Sequence, residues 1–113
     1  IKNNSSITII NKNNKRDYLF IDDLIEGIIK LIDYKCKFEI FNIGSGTSYS
    51  LENIVNLFEN KSKKKIKMKY KISKENNIPK IHADITKIKK EIKWNPKYTL
   101  VEGIEKIIVK NTK

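Results

Sequence analysis

Residues Phe38 to Ile43 read as a continuous apolar-rich strand, with only Glu39 and Asn42 interrupting. Such a strand is expected where both faces of a sheet are covered, the arrangement of parallel sheets flanked by helices. Gly44-Ser45-Gly46 then turns the chain. Ser50 is placed to cap a helix in which Leu51, Ile54, Val55, Leu57 and Phe58 form a wide apolar stripe. Upstream, the β-branched run Ile7 to Ile10 predicts a strand, Asn11 to Lys15 a polar turn, and Tyr18 to Ile21 a second short strand. Asp22 or Asp23 caps the helix that follows, whose Leu24, Ile25, Ile28, Ile29 and Ile32 fall at helical spacing, ending near Asp33 or Tyr34.

Downstream, Lys65 to Ile72 alternates strictly. Ile66, Met68, Tyr70 and Ile72 share one face and four lysines the other, which predicts a strand with one wet side. Pro79 forbids helix immediately before it. Asp84 is positioned to cap a helix carrying Ile85, Ile88 and Ile92, with Trp94 just past its end and Pro96 preventing continuation. Thr99 and Glu102 make a Thr-x-x-Glu capping box for a last helix that buries Leu100, Ile104, Ile107 and Ile108. Strands interleaved with helices predict an α/β fold.

At 113 residues the chain is one domain or part of one. It begins at Ile1 and its only methionine is Met68, which leads us to expect a piece of a longer polypeptide. The formal charge of +11 raises nucleic acid and anionic membranes as partners. A bias toward Lys, Ile and Asn accounts for much of that charge, and it singles out Arg16, the one arginine among 24 basic residues. Cys36 is alone, so no intrachain disulfide can form, and a cytoplasmic location is expected. No apolar run approaches the roughly 20 residues needed to cross a bilayer, so no membrane partner is expected.

Three phrases stand in order along the chain: Arg16-Asp17-Tyr18-Leu19-Phe20-Ile21-Asp22-Asp23, then Phe41-Asn42-Ile43-Gly44-Ser45-Gly46, then Lys93-Trp94-Asn95-Pro96-Lys97-Tyr98-Thr99-Leu100-Val101-Glu102-Gly103. Together they resemble the carboxy-terminal part of the extended short-chain dehydrogenase/reductase family, the NAD-dependent epimerases and dehydratases of nucleotide sugars. The resemblance implies that residues 1–49 are the last strands and helix at the edge of a Rossmann-like sheet, and that 50–113 are the small mixed α/β substrate-binding domain. It further implies an NAD- or NADP-dependent parent enzyme, a nucleotide-diphosphate sugar as ligand, and a separate N-terminal Rossmann domain as partner. No dinucleotide-binding glycine fingerprint occurs in the chain, and the spacing Tyr-x-x-x-Lys occurs once, at Tyr70 and Lys74, across the end of the alternating run and the polar loop after it. By itself it is therefore expected to bind no cofactor and to carry no catalytic residue, as a substrate-binding fragment.

Within that resemblance Arg16 reaches the diphosphate, a task suited to a planar, permanently charged fork, and Tyr18 lies near the nucleotide. Aligning Ile78-Pro79 and Ala83-Asp84 with the family's Arg-x-Gly-Asp-Ile/Val-Pro phrase puts Lys74 where a second arginine is usual, with Asn76 and Asn77 replacing Gly and Asp. Lysine keeps the charge and loses the fork. Lys74 is read equally as a phosphate ligand and as a solvated loop lysine. Ile81 stands where some members present a tyrosine.

Other candidates have plainer readings. Asp22 and Asp23 are expected to accept backbone N–H bonds rather than to form an acid–base pair. Gly44-Ser45-Gly46 is a tight turn, since Tyr49 stands where a G-x-G-x-x-G loop needs glycine. His82 has no partner at metal-ligand spacing, so no metal is expected. Lys61 to Lys74 holds eight lysines in fourteen residues and supports a rival reading as a nucleic-acid-binding module, with Tyr70 stacking on a base. Against that, alternation puts Tyr70 on the face expected to be buried, and lysines on an edge strand deter aggregation. A non-catalytic remnant acting as an interaction surface is the other alternative. The helix from Leu24 and the strand Phe38–Ile43 should leave apolar surface exposed, favouring self-association.

Overall fold

The computed structural model describes residues 6–75 and 77–112. Four strands and four helices follow one another as β1 (Ser6–Ile10), β2 (Lys15–Arg16), α1 (Ile21–Ile32), β3 (Tyr49–Ser50), α2 (Leu51–Ser62), β4 (Lys67–Lys71), α3 (Thr86–Ile92) and α4 (Leu100–Asn111). Two small sheets result. β1 pairs in parallel with β4, Ser6 opposite Lys67 and Ile10 opposite Lys71. β2 pairs antiparallel with β3, Arg16 opposite Tyr49.

Two helices start where local chemistry predicts. Ser50 accepts from the Asn53 amide while Asn53 Oδ1 accepts from the Ser50 amide, closing a capping box on α2. Thr99 and Glu102 close the equivalent box on α4. α1 is different. Its N-cap is Phe20, with no side-chain cap bond, and Asp23 serves another purpose. Only 1% exposed, its carboxylate accepts from the Lys97 amide at 2.9 Å and the Tyr98 amide at 3.0 Å. Its carbonyl accepts from Trp94 Nε1 at 3.1 Å. Asp23 thus pins the 94–98 loop across α1, and the expected cap is a tertiary clamp. Asp84 caps more loosely than expected: its Oδ1 accepts from the Thr86 amide at 2.9 Å, while Ile85 occupies the N-cap position.

The main core gathers Ile85, Ile88 and Trp94, with Leu19, Leu31, Phe41, Ile43, Ala83 and Ile92 packed around them. Residues scattered through the sequence thereby hold α1 and α3 together. A second buried zone, with Val55 and Ile104, lies where α2 packs on α4.

Two expected strands are absent. Tyr18–Ile21 does not pair: β2 stops at Arg16, residues 17–20 run unpaired, and Ile21 already belongs to α1. Phe38–Ile43 forms no strand either. A strand exists only through bonds to a neighbour, and among the described residues none lies beside this run. Phe38 is left 81% exposed and Ile40 67%. Ile21, Ile25, Ile28, Ile29 and Ile32 of α1 are exposed as well.

The molecule is a slab of 50 × 40 × 17 Å with a radius of gyration of 16.7 Å, against about 13 Å for a compact domain of this length. Its thin dimension accommodates little more than one layer of helices. One large apolar face is consequently bare.

Gly27 sits where α1 crosses the indole. A Cβ there would lie 3.1 Å from Trp94 Nε1 and 3.2 Å from Cε2. Helix propensity alone favours Gly27→Ala by about 1 kcal/mol. The indole is buried and tied to Asp23, so it cannot yield, and overpacking costs about 1–3 kcal/mol. We expect Gly27→Ala to lower the urea midpoint; a raised midpoint would show the indole to be mobile.

Candidate functional site

Arg16 ends β2, and its guanidinium reaches across to the segment after Lys74. Nη1 donates to the Lys15 carbonyl at 2.9 Å and the Ile78 carbonyl at 2.8 Å. Among the described residues Nε and Nη2 make no hydrogen bond and no carboxylate pairs with the guanidinium of this half-buried side chain. Lys74 is exposed and without an ion pair among the described residues. Its loop is fastened at both ends. Asn11 exchanges two bonds with Ser73, Nδ2 donating to the Ser73 carbonyl and Oδ1 accepting from the Ser73 amide, each at 2.9 Å. The Arg16 contact to Ile78 closes the far end. Asn76, set against a family glycine above, lies outside the described residues.

The structure therefore lays the segment that follows the Lys74 loop, Ile78 to Ile81, beside the strand bearing Arg16, and among the described residues no hydrogen bond joins Arg16 to the residues 73–75. Tyr18 stands apart in the unpaired run after β2, half-buried and with no hydrogen bond among the described residues. The loop's exit is set by a short parallel bridge: the Lys15 amide donates to the Pro79 carbonyl at 2.8 Å and the Ile81 amide to the Lys15 carbonyl at 3.1 Å. Ile81 is 51% exposed beside it. A hollow of about 740 Å³ lies elsewhere, between Phe20, Ile21, Tyr98 and α4, and none of Arg16, Tyr18 or Lys74 lines it. Its two cations, Lys106 and Lys110, share the lining with the carboxylates of Asp22, Glu102 and Glu105, which oppose an anion there.

Sequence reasoning passed over the residue between the two substrate candidates. The Asp17 carboxylate takes four bonds. Oδ1 accepts from the Ser45 amide at 2.8 Å and the Ser45 hydroxyl at 2.6 Å. Oδ2 accepts from the Gly46 amide at 3.1 Å and the Ala83 amide at 3.0 Å. Gly44 makes this approach possible: a Cβ there would fall 2.6 Å from both Asp17 Oδ2 and the Ala83 Cβ. The small residues of the turn were the available signal, because glycine marks close approach by another group. The turn also differs from a phosphate cradle in a specific way. Its Ser45 and Gly46 amides already serve a carboxylate, and that negative charge opposes an incoming dinucleotide phosphate. The amides of this turn are not free to hold a dinucleotide phosphate.

Burial by itself would raise the Asp17 pKa, but the Ser45 hydroxyl and the amides of Ala83, Ser45 and Gly46 outweigh it and hold the carboxyl below its ordinary value. A depressed folded-state pKa gives stability that is present above the unfolded value of about 3.9 and lost as pH falls through the folded value. We expect Asp17→Asn to cost roughly 1–3 kcal/mol at neutral pH, and to flatten the acid limb of a stability-against-pH curve below about pH 4. An unchanged acid limb in that variant would show that the carboxylate is not what acid disrupts.

The family model described as GDP-mannose 4,6 dehydratase matches residues 1–107. The dTDP-4-dehydro-6-deoxyglucose reductase of Escherichia coli is 35% identical over 109 residues, covering 96% of this chain and 34% of the relative. The UDP-glucose 4-epimerase of Thermotoga maritima, solved with UDP-glucose, superposes with a TM-score of 0.84 over 96% of this chain and 36% of that one, at 24% identity, and so shares the fold. The UDP-glucuronic acid 4-epimerase of Bacillus cereus, solved with UDP-glucuronic acid and NAD, gives 0.80 at 25% identity over 96% of this chain and 36% of that one. The chain spans about a third of the length of these relatives. It belongs to the extended short-chain dehydrogenase/reductase family of nucleotide-sugar epimerases and dehydratases, whose carboxy-terminal part it matches.

Proposed function

We propose that this chain is the substrate-binding portion of an NAD- or NADP-dependent nucleotide-sugar epimerase or dehydratase, with Arg16 and Lys74 holding the diphosphate and Tyr18 beside the nucleotide. One observation carries the reading. Arg16, the only arginine in the chain, spends Nη1 on two backbone carbonyls. Fixed in this way, it offers its remaining donors to an anion at reduced entropic cost. Lys74 adds a second positive charge from a loop tethered at Ser73 and Ile78. Lacking arginine's fork, it supplies attraction more than direction.

The redox chemistry belongs, in this reading, to polypeptide beyond residues 1–113. Two observations support that placement: the Gly44–Gly46 turn is filled by Asp17, and the one Tyr-x-x-x-Lys spacing, Tyr70 to Lys74, starts in β4 and ends in a loop, with the Tyr70 hydroxyl donating to Glu52. Residues 1–49 would complete the edge of the nucleotide-binding sheet and 50–113 the smaller substrate domain, with β1 crossing over to pair with β4. The bare face of α1 and the run Phe38–Ile43 would then be covered by the missing sheet, and in its absence by a second copy of the chain. No helix among the described residues is long and apolar enough to cross a membrane, and we assign the protein to the cytoplasm. What the chain contributes to catalysis is orientation: binding energy at the nucleotide end fixes the sugar for reaction elsewhere.

The test uses the full-length protein with UDP-glucose, dTDP-glucose and GDP-mannose as probes. Arg16→Ala should weaken binding of whichever nucleotide sugar it takes by about 10- to 100-fold, the worth of a charge-assisted contact of about 1.5–3 kcal/mol. Arg16→Lys should recover only part of that loss. The 113-residue chain alone should turn over none of the three with NAD. Unchanged affinity in Arg16→Ala, or turnover by the isolated chain, would overturn the reading.

A further inference from the structure

We propose that Asp17 is a positioning residue for the diphosphate grip, acting through Arg16; this rests on the reading of Arg16 given above. Arg16 ends β2, Asp17 is the first residue of the unpaired run after it, and their side chains do opposite work. Arg16 meets the Ile78 carbonyl. Asp17 faces inward and is saturated by Ser45, Gly46 and Ala83.

The segment 78–83 lies alongside residues 15–17 and is fastened to them at three successive points. At its start, the Ile78 carbonyl accepts from Arg16 Nη1 at 2.8 Å. In its middle, the Lys15 amide and carbonyl bracket Lys80 through Pro79 and Ile81. At its end, the Ala83 amide donates to Asp17 Oδ2 at 3.0 Å. The same carboxylate oxygen takes the Gly46 amide at 3.1 Å, so the turn after residue 43 sets the place of Asp17 and Asp17 sets the register of 78–83. Were Ala83 released, segment 78–83 would be held to 15–17 only by the Lys15 bracket and by Arg16 itself, and could shift against them. The Ile78 carbonyl would move with it, and that carbonyl is what aims the guanidinium.

The arrangement also explains why a carboxylate is required. Four donors converge on two oxygens within one small space walled by Gly44, where a Cβ would clash at 2.6 Å. A carboxamide keeps one acceptor oxygen and turns an NH₂ toward at least one donor, leaving a repulsive contact. Asp17→Asn therefore preserves size and destroys the junction. Ser45→Ala is milder, since it removes only the hydroxyl bond at 2.6 Å and leaves three donors in place.

The experiment is a double-mutant cycle in the full-length protein, reading affinity by calorimetry for UDP-glucose, dTDP-glucose and GDP-mannose, with circular dichroism and melting to select temperatures at which each variant is folded. Asp17→Asn should weaken binding about tenfold and Ser45→Ala by a smaller factor, within the range that coupled neighbours show. In an Arg16→Ala background both effects should vanish, because a positioning residue has nothing left to position. A purely structural role would give equal losses with and without Arg16, and that additivity would overturn the proposal. So would full affinity in folded Ser45→Ala and Asp17→Asn proteins. Should Arg16→Ala itself leave affinity untouched, the diphosphate reading fails and this proposal falls with it, a result distinct from Arg16 mattering while Asp17 does not.

Discussion

The Asp17 carboxylate is the constraint on which the rest of the site depends. Three segments far apart in sequence, the end of β2, the turn at 44–46 and the approach to α3, meet at its two oxygens. Partly buried charge of this kind is costly unless its lone pairs are occupied, and here four donors occupy them. Charge-assisted bonds to backbone amides are also directional. They fix where the chain lies, and so they fix where Arg16, one residue earlier, can point.

A second buried carboxylate does the same for the other half of the molecule. Asp23 ties the loop after α3 to α1 through the Lys97 and Tyr98 amides, while its carbonyl anchors the Trp94 indole. The principal core forms around that indole. These two aspartates compensate for a slab whose apolar interior is thin. With α1 and Phe38 presenting isoleucine and phenylalanine to solvent, the hydrophobic effect alone supplies less than a compact domain of this length would have. Specific polar clamps carry the organisation instead, and the bare face matches a chain that spans about a third of its relatives.

What could be read from the sequence was local. The Ser50–Asn53 and Thr99–Glu102 boxes join residues three apart, so the chain itself contains the whole interaction. The helical stripe from Leu24 to Ile32 is similarly self-contained, whereas the alternation in β4 predicts the strand but not its burial: Tyr70 is 49% exposed and Ile72 92%. The strand expected at Phe38–Ile43 was misread because strand character belongs to a pair, and its composition reports covered faces without supplying the neighbour. For a related reason Asp17 goes unnoticed in the sequence, and Asp23, expected to accept backbone N–H bonds, is placed at the start of its own helix instead of on a distant loop. Their donors lie 28 to 75 residues away, and an aspartate before an apolar helix carries the same local signature whether it caps that helix or clamps a distant loop. Arg16 stands out in the sequence as the one arginine among 24 basic residues, whereas the carbonyl that its Nη1 meets, at Ile78, is visible only in three dimensions.

The most direct measurement is an NMR titration following the Asp17 carboxyl carbon together with the amides of Ser45, Gly46 and Ala83. The carboxyl midpoint should lie below that of an ordinary aspartate, about 3.9, with all three amide signals moving at that same midpoint as the junction loses its charge. A midpoint at or above the ordinary value, with amides indifferent to it, would contradict the account.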